Sequence, residues 1–166
     1  NMDLPALGDE LFKYLNANRH VGNRTPTVYG AKGVSRSQMQ LIEEQLGFTL
    51  PSDFKFLFEN VSDPGAVLFP WSNFRIEDYR NSIDRIWSGI AFDIEHNTVW
   101  LKRWGDKPDT LAEAREIAQR DFQNWPKLLP IYGSRFLPAE PSLADNPVFS
   151  IVQTDIIYYG MNLADY

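Results

Sequence analysis

The chain has 166 residues, 43% hydrophobic and 14% aromatic, which suits one domain around one core and is too apolar for a disordered polymer. Its formal net charge of −6 disfavours direct contact with nucleic acid, and the lack of cysteine excludes disulfides and thiolate metal sites. No apolar run is long enough to span a bilayer and no signal-peptide pattern opens the sequence, so a single domain of a reducing, cytoplasmic compartment, with no membrane partner, is expected.

Leu4, Leu7, Leu11 and Leu15 recur at helical spacing and predict a first helix over 4–15. The next segment, rich in Asn, Gly and Thr, reads as a long surface connection. The sequence YGAKGVS has Gly and Lys ahead of a helix but lacks phosphate-loop spacing. Ser35 and Gln38 form a capping-box pair, and Val34 and Met39 are placed for a hydrophobic staple. Met39, Ile42 and Leu46 make the apolar stripe, and Gly47 suits the end of the helix. Pro51 opens a second helix, in which Phe54, Leu57, Phe58 and Val61 share a face, and Asp63-Pro64-Gly65 stops it.

Ile76, Tyr79, Ile83, Ile86 and Trp87 predict a helix over 76–87. After Gly89 the apolar residues Ile90, Phe92 and Ile94 alternate with polar or small ones, and Val99 and Leu101 do the same beyond His96-Asn97. That pattern predicts an antiparallel hairpin. Thr110 and Glu113 open another helix, with Leu111, Ala114, Ile117, Ala118 and Phe122 on one face and Pro126 past its end. Short strand-like runs follow: LLPIYG, SRFLPA, NPVFSIV and DIIYYG. Helices followed by strands, without regular alternation, predict an α+β fold of amphipathic helices packed on a mixed, mainly antiparallel sheet.

Chemistry is sparse. Two histidines and the run DIEH (Asp93 to His96), placed at a hairpin tip, do not make a metal site, and no nucleophile motif accompanies them. Glu140, Asp145 and Asp155 are candidates for a carboxylate pair, which sequence alone does not bring together. Trp71 and Trp104 fall in loops, where tryptophan either anchors a partner or plugs a core. Arg135, between Ser134 and Phe136 in a strand, calls for a carboxylate partner, with Asp145 and Asp155 as candidates.

The run IEEQLGFTLPSDFKFLFENV resembles the signature of the SUKH superfamily, which includes bacterial toxin-immunity proteins and yeast cell-wall-synthesis regulators. The matching positions are Glu43, Leu46, Gly47, Leu50, Pro51 and Phe54. GIAFDIEHNTVWLKRWG resembles the family's central hairpin, and LLPIYGSRFLPAEP and NPVFSIVQTDIIYYGMNLADY its closing strands, so the resemblance spans residues 34–166 and leaves 1–33 as a less well matched N-terminal helical extension. It implies an α+β domain without a shared catalytic centre or cofactor. It also implies a protein-binding role: an immunity protein that neutralises a cognate toxin, often a basic nuclease domain. The alternatives are a regulatory scaffold domain or a carbohydrate binder using the C-terminal strands. The expected partner surface combines Trp71, Trp104, Arg135, Asp145 and Asp155, and the oligomeric state is left open.

Overall fold

The computed structural model describes residues 28–29, 33–62, 68–163 and 165. The predicted helix over 4–15, most of the connection after it and the Asp63-Pro64-Gly65 stop lie outside these residues. A two-residue strand β1 (Val28–Tyr29) pairs antiparallel with β2 (Val61–Ser62).

Helix α1 (Arg36–Leu46) starts where its capping box predicts. The Ser35 hydroxyl accepts from the Gln38 N–H, and the Gln38 side chain accepts from the Ser35 N–H. Gly47 ends it with φ of 78°, a left-handed conformation that costs glycine little. The bend into α2 (Ser52–Asn60) is pinned by Glu43, whose carboxylate accepts from the Leu50 N–H at 2.7 Å and from Lys55 Nζ at 2.6 Å. Pro51 sits one residue earlier than predicted, at the N-cap.

The predicted hairpin after Gly89 does not form. A single helix, α3, runs over Ile76–His96. Ile83, Ile86, Ile90 and Ile94 continue the three-to-four spacing across Gly89 and pack into one core, and this longer period outweighs the local alternation. Gly89 is an interior residue kept small by a crossing: a Cβ there would lie 3.0 Å from Gln153 Cα. Residues 97–110 then connect irregularly through a 3-10 turn at Lys102–Trp104 to α4 (Leu111–Gln123). Thr110 caps α4 by accepting from the Glu113 N–H.

The chain closes with four strands, β3 (Leu128–Tyr132), β4 (Arg135–Pro138), β5 (Val148–Val152) and β6 (Asp155–Gly160), in an antiparallel sheet of order β3-β4-β5-β6. Alternation along the strands builds two cores, not the single one expected from chain length. Leu129, Ile131, Leu137 and Val148 face α1, α2 and Trp71, while Leu128, Phe136 and Ile151 face α3, α4 and Trp104. The fold is therefore α+β with the sheet between two helical layers. No described helix is long and apolar enough to cross a membrane.

Candidate functional site

Strand β6 belongs to neither core. It is the last strand of the sheet, and its residues from Asp155 to Tyr159 are all exposed. Ten large hydrophobic side chains are exposed among the described residues, and six of them lie between 152 and 161: Val152, Ile156, Ile157, Tyr158, Tyr159 and Met161. Tyr158 is 58% exposed, resting its ring edge on Phe149 with centroids 5.6 Å apart. Such a concentration on an open sheet edge exceeds the scattered apolar exposure of an ordinary surface.

The hairpin carrying this edge is held from below by Asp93. The β5–β6 turn is two residues, Gln153 and Thr154, with Gln153 at φ of 58°. Asp93, buried on α3, accepts from the Thr154 N–H at 2.9 Å, the Thr154 hydroxyl at 2.5 Å and the Asn97 amide at 2.7 Å. Burial alone pushes this carboxyl up, but the hydrogen bonds from Thr154 and Asn97 outweigh it and hold Asp93 below the usual carboxylate range. Sequence reading placed Asp93 at a solvated hairpin tip. Its role needed a contact across 61 positions, which no local spacing signals.

Arg135 lies across the same hairpin. Its Nη1 donates to Ser134 Oγ at 2.6 Å and Ser150 Oγ at 2.9 Å, and its guanidinium stacks 4.0 Å over the Tyr159 ring. Its Nε is buried without a hydrogen-bond partner. The expected ion pair with Asp145 or Asp155 is absent, so hydroxyls and a π face hold this cation where a carboxylate was predicted.

The other predicted contact residues divide. Trp71 is 1% exposed, donates from Nε1 to the Pro130 carbonyl at 2.9 Å and stacks on Phe74. Trp104 is 9% exposed and plugs the second core against Trp100. Neither ring is available to a partner, because each fills volume between its own helices and sheet. Arg103 forks onto Asp121 nearby, with Nη2 to Oδ2 at 2.7 Å. That fork, helped by the Trp125 indole and opposed by burial, holds Asp121 low. Trp104 Nε1 is buried without a hydrogen-bond partner.

Asp145 sits in the β4–β5 loop, far along the sheet from Asp155 at the β5–β6 turn. Its N–H donates to the buried Asp53 carboxylate at 3.1 Å, and its own carboxylate accepts from Asn162 at 3.1 Å. Asp53 is pushed up by burial, against the backbone N–H groups of Asp145 and Phe54 that favour its charge. Of the five predicted residues, only Arg135 on β4 and Asp155 on β6 share one face of the sheet.

Two concavities among the described residues do not present a free carboxylate pair. A cleft of about 330 Å³ between Phe48, Tyr79, Phe122 and Trp125 contains one carboxylate, Asp84, and a Tyr79 phenol that burial pushes up to about 12. Another, of about 310 Å³, holds Glu43 and Glu59, but Lys55 and Arg36 engage them. His96 and Glu95 are exposed on α3, and no group of three His, Asp or Glu converges among the described residues. Comparison with known proteins gives no matching family, no matching characterised protein and no matching solved structure.

Proposed function

We propose that this chain is a non-catalytic protein-binding module whose contact surface is β6 and the open sheet face beside it. The observation that carries the reading is the gathering of six exposed apolar side chains on one edge hairpin, anchored by a buried carboxylate. An apolar edge with no described strand beyond it is suited to a protein partner, because strand addition supplies hydrogen bonds and side chains supply specificity.

The sequence resemblance to SUKH immunity proteins, which residues 42–61 and the C-terminal strands still carry although a helix replaces the expected central hairpin, supports a cytoplasmic toxin-neutralising role, with a basic toxin domain as partner. The net charge of −6 supports it too, since an acidic surface steers a basic partner into encounter. The experiment is co-purification and calorimetry with the toxin domain encoded by the neighbouring gene. The double variant Ile156→Lys, Ile157→Lys is expected to lose binding by at least roughly tenfold while keeping the wild-type melting temperature. Unchanged affinity in that variant removes β6 as the surface, and no binding by the wild-type protein removes the immunity role.

A further inference from the structure

The backbone groups that β6 offers are set by its own hairpin. A two-residue turn makes Val152 and Asp155 a pair that exchanges both ladder hydrogen bonds, and the pattern alternates from there as far as Tyr158, beyond which the register shifts. Asp155 and Ile157 therefore direct their N–H and C=O toward β5, while Ile156 and Tyr158 direct theirs outward. A backbone bond agrees with this phase: Ile151, opposite Ile156, gives its N–H to the Ser134 carbonyl at 2.9 Å, away from β6. Among the described residues no strand lies beyond β6.

We propose that, without its protein partner, β6 pairs antiparallel with β6 of a second copy about a two-fold axis at Ile157. This rests on reading β6 as a protein-contact edge. In that register Ile156 faces Tyr158 of the second copy, and every outward N–H and C=O of the two residues is satisfied. Ile157 meets its own counterpart as a non-hydrogen-bonded pair. Asp155 falls opposite Tyr159 of the second copy, the ring that carries Arg135.

Charge complementarity selects this occupant. Arg135 has no carboxylate and Asp155 no cation among the described residues, and the two-fold axis supplies each with the other twice. Moving the axis to Ile156 or Tyr158 sets Asp155 opposite Ile157 or Met161 and loses the match. The pairing covers Ile156, Ile157 and Tyr158, so a protein partner and the second copy compete for one edge. A single strand pair buries less than a standard interface, so the dimer is reversible.

The chain has no cysteine, which makes the register directly testable. Non-hydrogen-bonded antiparallel partners lie about 4.5 Å apart at Cα, within disulfide reach. Ile157→Cys under mild oxidation is expected to give a covalent dimer of twice the 19.1 kDa chain mass. Ile156→Cys is expected to cross-link roughly tenfold more slowly, since its counterpart is Tyr158. Sedimentation velocity of the wild-type chain from about 1 to about 500 µM is expected to show monomer converting to dimer, and Asp155→Lys to move the midpoint up roughly tenfold. A monomer throughout, equal cross-linking at 156 and 157, or no effect of Asp155→Lys overturns the pairing. A chain that stays monomeric yet loses its toxin in the Ile156→Lys, Ile157→Lys variant overturns the pairing alone. A dimer whose patch variant still binds toxin overturns the contact reading alone.

Discussion

Replacing Asp93 with alanine removes the one carboxylate that ties α3 to the β5–β6 turn. Three donors lose their acceptor: the Thr154 N–H, the Thr154 hydroxyl and the Asn97 amide. Bonds to a charged acceptor contribute about 1.5–3 kcal/mol each, but Thr154 is half-buried and Asn97 exposed, so water recovers part of that. The expected net loss is about 3 kcal/mol, a large share of a stability of about 5–15 kcal/mol. With a urea slope of about 2 kcal/mol/M, the unfolding midpoint followed by circular dichroism should fall by about 1.5 M. The cycle with Thr154→Val should show a coupling of about 1–2 kcal/mol, because valine removes the hydroxyl bond to Asp93 and keeps the backbone one, and neither single variant can make the hydroxyl bond. The pH dependence has a definite sign. Asp93 is held below its unfolded value of 3.8, so its contribution is present above that pH and is lost as pH falls through the folded value. The Asp93→Ala variant should therefore show a shallower acid limb than wild type. An unchanged midpoint at pH 7, or an unchanged acid limb, refutes the assignment of Asp93 as the anchor of the hairpin.

Trp71→Ala should cost about 3–5 kcal/mol and lower the thermal midpoint by roughly 6–20 °C, the behaviour of a core tryptophan and not of a surface anchor. Ser35→Ala removes the α1 cap and should lower stability by about 1 kcal/mol in urea titration, without altering partner binding. Asp121→Asn should cost about 1 kcal/mol or less in low salt and less still in high salt, since Arg103 is half-exposed. Asp121, like Asp93, contributes above its unfolded pKa and fades on acidification. Asp53 has the opposite sign: its folded value is raised, so its contribution is full below 3.8 and is lost as pH rises through the folded value. Asp53→Asn should thus steepen the net loss of stability on acidification.

Short-range rules read correctly wherever one side chain and its own backbone decide the outcome. The Ser35–Gln38 capping box, the left-handed Gly47 and the Thr110 cap involve residues within a few positions of one another, and all three form. The four closing strands appear within one or two residues of their predicted bounds, because turns and β-branched runs bracket them. Local reading failed at 90–102. There alternation over a few residues competed with an isoleucine stripe extending back to Ile83, and the glycine between them looked like a stop. Gly89 is small because the Gln153 backbone crosses it, a contact between residues 64 positions apart that no window along the chain contains.

The candidate site divides along the same line. Composition, charge and the absence of a catalytic motif were legible in the amino acids, and they direct attention to binding over chemistry. Which aromatics are surface and which are core was decided by tertiary structure: Trp71 and Trp104 look alike in sequence, each beside a loop-forming residue, yet both fill core volume. Strand β6 reads as apolar as any buried strand, and only its place at the end of the sheet order, with no described neighbour beyond it, turns Ile156, Ile157 and Tyr158 into a surface. The local chain sets the pattern of side chains on a strand, whereas exposure depends on which other segments arrive against it, a long-range property that the pattern does not encode.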